Sequence, residues 1–194
     1  MNTLVSYPLL DRLRSLAPSR PLDARETLAV AERQAARLLE AFGANLAGPI
    51  ATRDLIESLP FLVVEYDREL GVSAVTERLP DGRWLVVVNQ NEPETRQLFS
   101  LAHELKHVLD ADQTETLYPT TRWVRAEVRS EKVADYFASC LTMSKRQVVR
   151  DWCSGLQRID VLARRYGVSA PAMRYRLNQL GLYEQSRCGF ARSV

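Results

Sequence analysis

Both histidines of this chain lie in one stretch, Ser100-Leu101-Ala102-His103-Glu104-Leu105-Lys106-His107-Val108-Leu109. They are four residues apart. On a helix that spacing puts two side chains on one face, one turn apart. Two imidazoles so stacked can share one metal ion. Glu104 follows the first histidine, where a carboxylate reaches a water beside the metal without ligating it. This is the H-E-x-x-H pattern of zinc hydrolases. Leu98, Phe99, Leu101, Ala102, Leu105, Val108 and Leu109 recur at helical spacing, so the pattern predicts a partly buried helix.

A catalytic zinc needs a third protein ligand and an open fourth position. The stretch Ser130-Glu131-Lys132-Val133-Ala134-Asp135-Tyr136-Phe137-Ala138-Ser139-Cys140-Leu141 supplies candidates. Glu131 and Asp135 are four apart, on one face, beside an apolar stripe of Val133, Ala134, Phe137, Ala138 and Leu141. Carboxylates aimed at a core are costly unless a cation meets them. Glu131 is therefore expected as third ligand with His103 and His107, and Zn2+ as the cofactor. Asp135 is the candidate acceptor for the distal N–H of a ligating histidine. Glu104 is the candidate general base, passing a proton from water to a leaving amine. Spacing does not choose an oxyanion-stabilising group among Tyr118, Arg122, Arg125 and Arg129.

The elements that must position these groups are legible in outline. Residues 1–21 contain Pro8, Pro18 and Pro21 and are expected to form a loosely held arm, with a short helix around Leu9 to Leu16. A helix is predicted from Leu22 to Phe42, with Asp23 as N-cap, Gly43 as stop, and Leu28, Ala31, Ala35, Leu38, Leu39 and Phe42 inward. Thr52 is expected to cap a short helix through Leu59. Three strand-like runs follow, Phe61–Tyr66, Val72–Glu77 and Trp84–Asn89, with a turn at Pro80-Asp81-Gly82. An antiparallel sheet is expected, leading into the metal helix near Pro93. An edge strand beside that helix would hold extended substrate by strand addition, though the sequence does not say which strand that is. Residues 110–122 are expected to cross back over the site, and Trp123 to open the second long helix.

The chain has 194 residues, a formal net charge of +2 and three cysteines, Cys140, Cys153 and Cys188, at no framework or metal spacing. The length fits one core with a small appended unit. Sparse, odd cysteines fit reduced thiols in a cytoplasmic protein. No run approaches the ~20 apolar residues of a membrane span, and no signal-like start is present. Residues 22–152 are read as the main domain and 153–194 as a helical tail. In that tail, Leu162–Ser169 and Ala172–Leu182 resemble a helix-turn-helix, with Arg174, Tyr175, Arg176, Asn178 and Gln179 of types that contact nucleic acid. A structural or partner-docking role is preferred there over direct DNA binding.

Arg96-Gln97-Leu98-Phe99-Ser100-Leu101-Ala102-His103-Glu104-Leu105-Lys106-His107, followed by Glu131-Lys132-Val133-Ala134-Asp135-Tyr136-Phe137-Ala138, resembles the ImmA/IrrE family of metallopeptidases. That family pairs an F-x-L-A-H-E-x-x-H helix with an E-x-x-A-[ND]-x-F-A helix, whose Glu is the third zinc ligand. Family members often carry Gly where Lys106 stands, and Leu-Met-Pro where Leu141-Thr142-Met143-Ser144 stands. The resemblance implies an α+β, zincin-like fold and a zinc endopeptidase. It also implies a protein substrate of the helix-turn-helix repressor class, cut to release a mobile element or stress response. The alternative is a regulatory or DNA-binding protein with a structural or inactive metal site.

Overall fold

A computed structural model describes residues 7–43, 51–122 and 124–183. The expectations for Trp123, Cys188 and the chain ends fall outside those residues. The order is α1 (Pro8–Arg14), α2 (Ala24–Ala41), α3 (Thr52–Glu57), β1 (Leu62–Asp67), β2 (Ala74–Arg78), β3 (Trp84–Asn89) and α4 (Glu94–Asp110). It continues with α5 (Thr114–Leu117), α6 (Ala126–Thr142), α7 (Lys145–Cys153), α8 (Ile159–Tyr166) and α9 (Ala170–Gln179). The fold is α+β, as expected.

Helix α2 begins with a full capping box. The Asp23 carboxylate accepts from the Glu26 amide, and the Asp23 amide donates back to Glu26. Two otherwise unpaired donors are satisfied together, which fixes where the helix starts. Its buried stripe runs through Val30, Ala31, Gln34, Ala35, Leu38 and Leu39. Leu28 and Phe42, expected inward, stand on the surface. Thr52 is not the cap of α3. It is the first helical residue, behind Ala51, and is itself buried.

The N-terminal segment is held from Tyr7 onward. Leu10 and Leu13 of α1 are buried in the main core, and Arg14 donates to the Val108 carbonyl at 2.8 Å. The expected loose arm therefore does not describe residues 7–21: apolar residues at helical spacing found a groove to fill.

The sheet is mixed, not antiparallel. Its order is β1-β3-β2, with β1 parallel to β3 and β2 antiparallel to β3. The turn at Pro80-Asp81-Gly82 joins β2 to β3, with Gly82 at φ +90°, a conformation in which a Cβ would be strained. Inserting β3 between the first two strands makes it central, with Val86 and Val88 fully buried. It leaves β2 as an edge, packed beside α4.

Helix α6 packs against both α2 and α4, and α4 in turn packs against β2 and β3. Ala134 and Ala138 of α6 are fully buried, small enough to let the helices approach closely. A second cluster contains Met143, Val148, Trp152, Leu162, Ala163, Tyr166, Val168, Met173 and Leu177. Helix α7, not foreseen, belongs to it, so the core changes at Met143, ahead of the boundary expected at 153. Gly167, at φ +63°, ends α8, and the Val168 and Gly167 amides return to Ala163 and Arg164 in the manner of a Schellman motif. Among the described residues, no helix is long and apolar enough to cross a membrane.

Candidate metal centre

Helix α4 faces two ways. Leu101, Ala102, Leu105, Val108 and Leu109 turn into the core. His103, Glu104 and His107 turn toward α6 and the edge strand β2. The His103 and His107 Nε2 atoms are 3.0 Å apart. From α6, Glu131 reaches both, with one oxygen 3.1 Å from His103 Nε2 and the other 3.2 Å from His107 Nε2. These three residues form a group that could hold a metal ion. Around a tetrahedral ion with bonds of ~2.0–2.1 Å, neighbouring ligand atoms lie roughly 3.3–3.4 Å apart, so the observed separations fit a bound ion with small outward shifts.

Asp135, one turn beyond Glu131, lies 3.0 Å from the other ring nitrogen of His103. A proton held at Nδ1 by that carboxylate leaves the Nε2 lone pair free to face the ion. Burial disfavours the charged His103 ring, but the Asp135 hydrogen bond and the charges of Glu131, Asp135 and Glu104 outweigh it and raise its pKa. Burial and the neighbouring His103 ring lower that of His107. One ring attracts a proton and the other resists it, as expected of two bases beside one another with unequal access to the acids.

The acids do not point into the core, as the apolar stripe had suggested. The Glu131 and Asp135 side chains are 59% and 62% exposed, whereas His103 is 16% exposed. The carboxylates stand at the mouth of the site and the rings on its floor. The cavity at this place measures about 240 Å³, and its walls include Ser73 and Ala74 of the β2 side together with His103, Glu104 and Glu131.

Glu104 does not join the cluster of ligand atoms. The Thr76 hydroxyl of β2 donates to its Oε2 at 2.6 Å. Thr76 was missed in the sequence. A threonine in a strand-like run carries no local sign that its hydroxyl meets a carboxylate 28 positions away. Two of the oxyanion candidates are committed elsewhere. Tyr118 is fully buried and donates to Asp110 at 2.7 Å. Arg129 donates to the Leu22 carbonyl at 2.9 Å. Within the 110–122 segment, Leu117 and Tyr118 fold into the core.

Comparison with known families decides the kinship: the profile of the IrrE N-terminal-like domain, Peptidase M78, matches residues 64–178. The chain belongs to this family. No curated protein matches it. Among solved structures, a Mycobacterium tuberculosis transcriptional regulator superposes with a TM-score of 0.58 at 21% identity, over 87% of this chain and 51% of that one. At that identity the likeness is one of fold. The chain spans about half the length of that regulator. The matched M78 segment contains the metal helix, both acids and most of α9.

Proposed function

We propose that the chain is a zinc-dependent endopeptidase acting on a specific protein, in which His103, His107 and Glu131 hold the ion and Glu104 is the general base. The observation that carries this reading is the meeting of both histidine Nε2 atoms with the two oxygens of one carboxylate from another helix. Two neutral nitrogens and a carboxylate, without a thiolate, are a donor set suited to zinc. Bound there, zinc would polarise a water molecule and the carbonyl of the scissile peptide.

The remaining work falls to this chain's residues. Glu104 lines the same cavity as the ligands without belonging to the group that could hold the ion, so it is free to take a proton from water there. Thr76 fixes one of its oxygens and leaves the other to accept that proton and return it to the departing amine. Asp135 holds the His103 ring in one tautomer. The exposed edge of β2 lies beside these groups, so an extended substrate would add to it as a strand. A structural metal site has no use for Glu104, which favours the enzymatic reading over an idle one.

The resemblance of the two motifs to the ImmA/IrrE metallopeptidases supports a helix-turn-helix repressor as the substrate, cut to relieve repression. The test is co-expression with candidate helix-turn-helix repressors, starting with any encoded beside this chain. Wild type should give a new repressor fragment, and Glu104→Gln should give none while retaining one equivalent of zinc. Equal biological effect from the two proteins would overturn the peptidase reading and favour a regulatory or DNA-binding role.

A further inference from the structure

A groove larger than the metal-site cavity adjoins it without holding the histidines. It measures about 640 Å³ and is bounded by Leu28 of α2, Arg96 and Phe99 of α4, residues of α6 from Lys132 to Ser139, and Ala172, Tyr175 and Gln179 of α9. Arg96, Phe99 and Asp135 line both this groove and the metal-site cavity. The two therefore share a wall, and an extended chain lying over His103 could continue into the groove.

The groove's surface has a definite chemistry. Leu28 is 40% exposed and Tyr175 63% exposed, two of the few large apolar side chains left open to water. Phe99 and Tyr136 are half-buried between them. Lys132 and Arg96 bring positive charge to the same walls. The Ser139 hydroxyl, almost wholly buried on the groove's lining, has no hydrogen-bond partner among the described residues. An unpaired buried hydroxyl is unfavourable unless something arrives to meet it.

Helix α9 carries the residue types first associated with nucleic acid, yet it is placed differently. Arg176 is 1% exposed and donates from Nε to the Met143 carbonyl at 3.1 Å. Tyr175 and Gln179 face the groove instead. We infer that α9 is the far wall of a substrate cleft, and that the groove accepts a bulky apolar side chain of the substrate, flanked by an acidic residue, several positions from the scissile bond. Phe99, Leu28 and Tyr175 would clasp the apolar group, and Lys132 and Arg96 would meet the acid. The inference rests on the peptidase reading. It explains how such an enzyme restricts itself to few proteins: cleavage requires a distant anchor as well as a susceptible bond.

The test uses the zinc-loaded full chain and a library of peptides made by digesting a bacterial lysate, with products identified by mass spectrometry. Wild type, Tyr175→Ala, Ala172→Trp and Glu104→Gln are compared. Tyr175 is exposed, and Ala172 is half-buried against the second hydrophobic cluster; unaltered melting and zinc content would show that both variants keep the fold. Wild-type products should be enriched ~10-fold in Phe, Leu, Met, Trp or Tyr at one fixed position beyond the residues flanking the cut, as a single apolar pocket allows. Tyr175→Ala should weaken that enrichment, and Ala172→Trp, which fills the groove, should abolish it with the flanking-residue preference retained. In Glu104→Gln carrying a photoreactive benzoylphenylalanine at position 175, cross-linked peptides should carry the same apolar residue. Glu104-dependent products without that enrichment, or enrichment that survives Ala172→Trp, would overturn the groove and leave the peptidase standing. Absence of any Glu104-dependent product, together with cross-links showing no sequence preference, would overturn both.

Discussion

The two polar faces of α4 solve one problem in opposite ways. On one face, His103 and His107 meet Glu131 and Asp135 around a small open cavity. On the other, Lys106 and Asp110 are sealed from water, 1% and 3% exposed. Lys106 Nζ donates to Asp110 and, at 2.9 Å, to Gln34 Oε1, while Tyr118 donates to the second Asp110 oxygen. Burial pulls the Lys106 pKa down and Asp110 pulls it back. Burial, with Asp110 close by, drives that of Tyr118 far up, so the phenol stays protonated as a donor. The sealed face carries its cation as part of the chain. The open face leaves its acids at the rim, where a diffusible cation can reach them. A charge cluster closed by its own lysine is structure, while one that lacks a covalent cation is a candidate site.

Breaking the open face should end chemistry without unfolding the protein. Glu104→Gln is expected to lower cleavage by at least ~10²–10⁴-fold, the usual contribution of a positioned proton acceptor. Zinc content and melting temperature should not change. Breaking the sealed face should do the reverse. Lys106→Met leaves Asp110 buried and unpaired and is expected to cost about 3–5 kcal/mol in denaturant unfolding. Zinc affinity per folded molecule should hold. Lys106→Met with Asp110→Leu removes both charges and should recover most of that loss, which distinguishes an unpaired charge from lost packing.

The contrast also shows what could be read from the chain. The four-residue spacings of His103 with His107 and of Glu131 with Asp135 are local, and a helix converts them directly into a shared face. The sealed network was not legible. The four-residue spacing of Lys106 and Asp110 is local, but what seals them from water is not: the other partner of Lys106, Gln34, lies 72 positions away. The mixed sheet was hidden for the same reason, since the insertion of β3 between β1 and β2 is a non-local choice that strand propensity does not encode. Arg176 has the composition of a DNA-reading residue and the position of a core one. It donates to the carbonyl of Met143, which lies just past the end of α6 and far from Arg176 in the sequence.

Smaller changes sharpen the open face. Asp135→Asn should weaken metal binding by ~10–100-fold. It should also move the pH dependence. The metal takes neutral imidazole, and His103 has a raised pKa, so affinity is full above that pKa and falls as pH drops through it. Removing the Asp135 charge lowers the His103 pKa, so the midpoint of metal loss should move to lower pH in a competition titration with a chelator. In the metal-free protein the same raised pKa stabilises the fold below the unfolded histidine pKa and loses that effect as pH rises through the folded one. Thr76→Val is the mildest change. It frees one Glu104 oxygen and should reduce cleavage about tenfold with metal affinity unchanged, the magnitude of one hydrogen bond to a charged group.

Two rings of α4 and one carboxylate of α6 are expected to share a single ion. Anomalous diffraction at the zinc edge, from crystals of the zinc-loaded chain, tests it most directly. One strong peak is expected within ~2.2 Å of His103 Nε2, His107 Nε2 and a Glu131 oxygen, with Glu104 outside that distance. A peak bound by other residues, or Glu131 turned away from an ion that only the histidines hold, would contradict it.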